Sequence, residues 1–506
     1  MILRHRDREL LRFDWIGDVR IRVVSVNEAE RRFLPLEFGA ERLDCSADAL
    51  RYPLEDWLVS RSAPVGRHFM RNLMESLGLN INSPAYHRKA LEFSKGLSLN
   101  DVYWVVPDDF DGTWAEFNLY DNQFSEAMAE IAFTGHGKFN PRKVTTSPEM
   151  TTNGMLPKCW VREEDGIYLY KGGTGSGGRY HHGVEGLEPY SEFYAAQVAE
   201  ALGFRHVKYE LAKYKGRLCS KCRLFTSDRI GYLPASKLPD RDVILDDARF
   251  GEMFLFDAVI FNVDRHLGNF GYLIDNDTNE IVDVAPIFDN GYGLMPHFEF
   301  SSRSAENNYY AIRNYLRDKR PALFPAWLEF SSALTEDLQN RLARLEKFRF
   351  KKHRHYNWSD ERRAVLSGFL QKRVADIRRF GREVDEKSEQ SLVAESIVSN
   401  ENVGVKSSSD SGLNSSEQKA AMLIMRNSSV TEAEMANQLG TTIRQVERIV
   451  SALKRKAGLQ RRGSDKSGEW YFPSADISDA GEIHPKEKGR LSARIADALL
   501  GGGMSL

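Results

Sequence analysis

The spacing of apolar and polar residues changes character several times along the chain, and these changes divide it into segments. Residues 1–140 mix strand-like alternation, as in Val19-Arg-Ile-Arg-Val-Val24, with helical runs such as His68 to Leu77. This predicts an α+β region that scaffolds or binds a partner and carries no catalytic constellation. From about Thr145 short alternating stretches, Pro157 to Arg162 and Gly166 to Lys171, are separated by turn residues, as in antiparallel hairpins. The glycine-rich stretch from Gly172 to Gly178 lacks the Gly-Lys-Ser/Thr ending of a Walker motif and reads as a flexible connection. Phe193, Ala196, Val198, Ala199 and Leu202 then form a helical stripe over Glu188 to Leu202, stopped by Gly203. Strand character resumes at Val207 to Ala212 and Leu218 to Phe225. Sheet, one helix and sheet again mark residues 141–245 as a small lobe.

Residues 246–384 read as a helical large lobe. Its apolar helix Phe254 to Phe261 leads through a polar loop to the strands Phe270 to Ile274 and Ile281 to Val284. Residues 385–416 are serine-rich with few large apolar side chains and are expected to be a flexible linker. Within 417–473, Gln418 to Arg426, Thr431 to Leu439 and Thr442 to Lys456 predict three short helices, with Gly440 at the second turn. Arg461 to Phe472 predicts a hairpin, completing a winged helix-turn-helix order. Residues 474–506 form a tail with one amphipathic piece, Gly489 to Leu500.

Composition changes this picture little. A chain of 506 residues, 42% apolar and 28% charged, fits a globular protein of several domains. The net charge of -2 hides a basic stretch from Arg341 to Arg382 and an acidic one from Asp101 to Glu149, so either a polyanion-facing surface or a solvated helical face is open. Four cysteines without a disulfide framework imply a reducing compartment. The start lacks a signal-peptide core, and no apolar run is long enough to span a bilayer, so a cytoplasmic protein without a membrane partner is expected. Cys219-Ser-Lys-Cys222 has metal or redox spacing, but no second ligand pair accompanies it, and a structural role is the expectation.

The candidate chemistry lies in Asn262-Val-Asp264-Arg-His266-Leu-Gly-Asn269, with Asp289 following in Ile287-Phe-Asp289. A hydroxyl attacking a phosphate needs a carboxylate to orient it and accept its proton, and Asp264 is the candidate. Asn269, returned beside it by a tight loop, and Asp289 at a strand end supply oxygen ligands for Mg²⁺. His266 reads as support for the loop. Taken alone, such aspartates and asparagines also fit turns that bond to their own backbone. Upstream, Lys171 ends a strand and Glu192 lies near the start of the next helix, as required for an ammonium that grips ATP phosphates.

These residues resemble those of the HipA-like bacterial serine/threonine kinases. The likeness rests on Asn262-x-Asp264-x-His266-x-x-Asn269, on Phe288-Asp289 and on Thr151-x-x-Gly154-x-x-x-Lys158, and covers roughly residues 145–385. It implies a bilobal α+β protein-kinase-like fold with ATP and Mg²⁺ as cofactors and a protein hydroxyl as substrate. Asp264 would be the base, Asn269 and Asp289 the metal ligands, and Lys171 the ATP-binding lysine. Thr151, Gly154 and Lys158 would belong to the phosphate-covering loop. Thr151 stands where that family has an autophosphorylated serine. A hinge over Lys221 to Phe225, including Cys222, would meet adenine. The loop also resembles that of phosphoinositide kinases, so a lipid substrate is one alternative, and a transcriptional regulator with a degenerate kinase fold as ligand sensor is another. An antitoxin or a second copy of the chain are the implied partners.

In the third C-terminal helix, Thr442, Arg444, Gln445 and Arg448 are placed to enter a major groove, and Arg461 and Arg462 add positive charge on the wing. This predicts DNA binding, with protein docking as the competing use of the same fold. Such a fused module departs from the resemblance, since HipA-like kinases use a separate DNA-binding antitoxin.

Overall fold

The computed structural model describes residues 1–18, 20–138, 147–174, 186–238, 247–299, 334–379, 431–432, 435–436, 443–457, 459–462 and 469–471. They belong to two compact units, divided between Ser388 and Glu389. The linker, the first C-terminal helix, the tail and most of the glycine-rich connection expected from the sequence lie outside the described residues, as does Thr442.

The first unit begins with β1 (Ile2–His5), β2 (Arg8–Trp15) and β3 (Ile21–Val26). The helices α1 (Arg51–Ser60), α2 (Met70–Ser76) and α3 (Tyr86–Ser94) precede β4 (Tyr103–Val106). The four strands form one sheet, ordered β3-β2-β1-β4. Alternate side chains of β4 serve two cores. Tyr103 and Val105 join Leu3, Leu54 and Trp57 on one face. Trp104 and Val106 join Ile2 and Trp114 on the other. That second core also takes in Ile167 and Trp160, so the N-terminal sheet shares its interior with the next one.

The next sheet, ordered β5-β6-β8-β7, is antiparallel throughout. Its strands are β5 (Lys158–Glu163), β6 (Gly166–Gly172), β7 (Tyr209–Tyr214) and β8 (Arg217–Arg223). After α4 (Trp114–Phe117) comes α5 (Glu126–Thr134), whose Ala129 and Phe133 cover Cys159 and Cys219 on one face of this sheet. On the other face, Ala196 of α6 (Glu188–Leu202) packs with Val207, Tyr209 and Cys222. All three of these cysteines are therefore buried free thiols, with Cys219 and Cys222 each pushed up to about 12 chiefly by burial. That is the structural role expected of Cys219-Ser-Lys-Cys222.

A third sheet, β11-β10-β9, joins β9 (Ile230–Pro234), β10 (Gly271–Asp275) and β11 (Glu280–Val284). Behind it lie α7 (Gly251–Ile260), α8 (Glu336–Ala343) and α9, over 360–379. Together with α6 they enclose the largest core, built from Tyr194, Val198, Phe254, Phe256, Ile260, Leu366 and Leu370. Every element that carries a candidate site residue is thus anchored in an apolar interior.

In the second unit, α10 (Ile443–Ala457) is followed by β12 (Gln460–Arg462) paired antiparallel with β13 (Glu469–Tyr471). Val446, Val450 and Leu453 of this helix are buried, as are Leu459 and Trp470. Gln445 and Arg448 are exposed. Arg461 is engaged locally, its guanidinium 4.6 Å from the centre of the Trp470 ring. Among the described residues no helix is long and apolar enough to cross a membrane.

Candidate active site

Lys171 is the penultimate residue of β6, on the face turned toward α6, and its cross-strand partners are Lys158 on β5 and Ser220 on β8. The Lys171 ammonium lies 2.8 Å from Glu192 Oε1 and also pairs with Asp289. Glu192 is almost wholly buried in α6, with Oε1 on Lys171 and Oε2 accepting the Asn290 backbone N–H at 2.8 Å. One carboxylate therefore holds both the lysine and the turn that carries Asp289. Asp289 itself is in the left-handed region, φ 56°, which a short polar residue tolerates best, and its N–H donates to the Tyr209 hydroxyl at 3.1 Å. A Cβ at Gly291 would stand 3.4 Å from Glu192 Oε1 and 3.7 Å from the Lys171 ammonium, ordinary contact distances, so this turn passes directly beside the pair.

The charges tune one another. Burial works to raise the Asp289 carboxyl, yet Lys171 and then Lys158 outweigh it and hold Asp289 well below the ordinary range. Burial would lower the Lys171 ammonium, but Asp289 and Glu192 together raise it. Among the described residues, Lys158 has no such neighbour in contact. Burial and repulsion from Lys171 lower its pKa to about 7, and its ammonium donates to the Asn153 carbonyl at 2.9 Å. Gly154, φ 93°, arches over it closely enough that a Cβ there would sit 2.1 Å from the Lys158 nitrogen.

The loop after α7 supplies the other side. Asp264 is exposed, and the desolvating protein around it, followed by the charge of Asp289, raises its carboxyl above the ordinary aspartate value. The Asn269 amide nitrogen reaches the Asp264 carbonyl at 3.5 Å, closing the loop. His266 is exposed, and its Nδ1 accepts the Gly268 N–H at 3.0 Å within the same loop. Phe225 and Phe288 lie tilted to one another with ring centroids 5.3 Å apart, beside Tyr232 and bordered by Cys222. Thr151 is buried, its hydroxyl donating to the Leu97 carbonyl at 2.7 Å.

Sequence reasoning passed over the group that holds these loops together. Arg265 is buried, and its guanidinium donates to both oxygens of the equally buried Asp257, at 2.8 and 3.0 Å. It also donates to Asn290 Oδ1 at 2.7 Å, to the Asn269 carbonyl at 2.9 Å and to the Phe288 carbonyl. The ends of both motifs are thus bound to one planar fork, a task lysine cannot perform. A signal for it was available: an aspartate inside the otherwise apolar run Phe254 to Phe261 needs a buried cation. Among the described residues, no group of three histidine, cysteine, aspartate or glutamate side chains is placed to hold a metal by itself.

No protein-family model matches the chain. Over an alignment of 133 residues it is 27% identical to the serine/threonine-protein kinase CtkA of Helicobacter pylori (strain J99), a match covering 21% of this chain and 41% of that protein. The chain thus spans about two fifths of the length of the curated relative it matches. Among solved structures, the Helicobacter pylori proinflammatory kinase CtkA aligns with 47% of this chain and 94% of its own, at 18% identity and a TM-score of 0.35. A chain of the Shewanella oneidensis MR-1 complex of HipA, HipB and operator DNA aligns with 76% of this chain and 99% of its own, at 12% identity and a TM-score of 0.43. Over part of its length, then, the chain is similar in sequence to a serine/threonine kinase.

Proposed function

We propose that the chain is a HipA-like kinase that transfers the γ-phosphoryl group of ATP, with Mg²⁺, to a serine or threonine hydroxyl of a protein. The observation that carries this reading is the Lys171 ammonium held between Glu192 and Asp289, within electrostatic reach of Asp264. A lysine fixed by a helix carboxylate is the grip that phosphoryl transfer requires on the α- and β-phosphates.

The residues fit both cofactors. Lys158 and Lys171 repel one another around Asp289, and the buried Lys158 ammonium lacks a counter-ion in contact, an imbalance that a polyphosphate relieves. Asn269 and Asp289 offer hard oxygen ligands, too few for a protein-only cage but suited to Mg²⁺ that keeps water and phosphate oxygens in its shell. When bound, the ion neutralises charge on the phosphates. Asp264 orients the incoming hydroxyl and accepts its proton. Thr151, Gly154 and Lys158 cover the phosphates, Cys222 and Phe225 border the base, and His266 and Arg265 keep the loop in shape. Labelled phosphate from γ-labelled ATP is expected on protein in the presence of the unaltered chain. Transfer equal to that of Asp264→Asn would sink the reading.

A second activity is favoured by the exposed polar face of α10. Gln445 and Arg448 lie on the side of the helix opposite Val446, Val450 and Leu453, and Arg444 and Arg462 belong to the same helix and wing. We read this unit as a DNA-binding module in which Gln445 and Arg448 meet bases or phosphates. Gel-shift titration with duplex DNA tests it, and an affinity unmoved by Arg448→Glu would count against it.

A further inference from the structure

The segment Ala63 to His68, in the N-terminal region far from any motif, runs beside the candidate phosphate loop. Backbone hydrogen bonds join them at both ends: Ala63 N–H to the Met150 carbonyl at 2.6 Å and His68 N–H to the Met155 carbonyl at 3.0 Å. Between these lies Arg67, with its side chain wholly buried. One guanidinium nitrogen donates to the carbonyls of Glu149 and Thr152, at 3.0 and 3.1 Å. The other donates to Glu149 Oε2 at 3.1 Å and to the Lys158 carbonyl at 2.7 Å. Glu149 in turn accepts the Trp160 N–H at 2.8 Å through its other oxygen. A single buried cation thus binds the start, the middle and the end of residues 149–158.

We propose that Arg67 is a positioning residue for phosphate binding: it sets the arch of the 149–158 loop so that Lys158 is presented beside Lys171, making nucleotide affinity depend on the N-terminal region. The argument is geometric. Lys158 is the first residue of β5, and Arg67 holds its carbonyl while its own ammonium turns back beneath Gly154 onto the Asn153 carbonyl. Loss of the fork takes this donor from three carbonyls, two of them in buried contacts, so the loop must rearrange to satisfy them. The loop hydroxyl of Thr151 is also held from the N-terminal side, by the Leu97 carbonyl. Lysine at position 67 supplies the charge but cannot span three carbonyls and a carboxylate with a planar fork. This inference rests on the kinase reading for its effect on nucleotide, but not for its effect on the loop.

The test compares the full-length chain with Arg67→Lys, Arg67→Met and, as a control for general destabilisation, Leu54→Ala in the N-terminal core. Amide hydrogen exchange of residues 149–158, without nucleotide, is expected to quicken in both Arg67 variants and stay unchanged in Leu54→Ala. The Kd for MgATP is expected to rise about tenfold or more in Arg67→Met and less in Arg67→Lys, while kcat at saturating ATP changes less than about threefold. Unchanged exchange and Kd in a folded Arg67→Lys protein overturn the proposal, as does an equal effect from Leu54→Ala. Should the unaltered chain bind no MgATP, the kinase reading fails while the exchange measurement still decides the tethering of the loop.

Discussion

Asp264 and Asp289 are two aspartates of one site driven in opposite directions. Asp289 touches an ammonium and is held ionised, whereas Asp264, which among the described residues has no cation in contact, is raised by its surroundings and by Asp289. On the proposed kinase reading, environment would divide the roles of charge holder and proton acceptor between identical side chains. Asp264→Asn is expected to lower kcat by roughly 10²- to 10⁴-fold with little change in the Kd for ATP, read by phosphate transfer and by equilibrium binding. Lys158 gives a second residue-scale prediction. Its folded value of about 7 lies below the ordinary 10.5, so between those pH values the unfolded chain carries a proton that the folded chain has shed. Stability contributed at this position rises with pH through that window and is flat below it. Relative to Lys158→Met, the unaltered chain is therefore expected to gain about 1 to 2 kcal/mol between pH 7 and 9 in denaturant titrations, and a difference that falls with pH would contradict this.

At the scale of elements, the strand and helix periods placed most of the scaffold. Glu188 to Leu202 is a helix at those bounds, because its apolar stripe has a core to fill and Gly203 takes the left-handed end. Boundaries shifted where packing overrode pattern: Val207 opens as a connection, and strand begins at Tyr209, since Val207 N–H is taken by the Ile287 carbonyl outside the sheet. The element least legible was α7, whose apolar run concealed the purpose of Asp257. Removing that carboxylate leaves the Arg265 cation buried and unpaired. Asp257→Ala is expected to cost about 3 to 5 kcal/mol, seen as a large drop in Tm, and to abolish phosphate transfer at temperatures where the chain remains folded. Gly154→Ala is expected to weaken MgATP binding several-fold, because a Cβ would push the Lys158 ammonium from beneath the arch.

For the whole molecule, the chain divides into two compact units, and each of the two proposed activities is assigned to one of them. The basic residues of α10 and its wing differ in use: Arg448 is exposed, whereas Lys454 and Arg461 lie over Trp470 at 5.2 and 4.6 Å. Arg448→Glu is therefore expected to weaken duplex binding by about tenfold and flatten its salt dependence while leaving phosphate transfer unchanged. A transfer rate that fell in parallel would mean that the units do not act independently. The sequence by itself determined the period of each element and the tight loop from Asp264 to Asn269, because these depend on neighbours a few residues apart. Only tertiary structure decided that Lys171, Glu192 and Asp289 share one ion-pair cluster, that Arg265 binds both motifs, and that Arg67 reaches a loop 82 residues away at Glu149. Such contacts are set by how sheets and helices share a core, and no local period of apolar residues records which distant side chains that packing brings together.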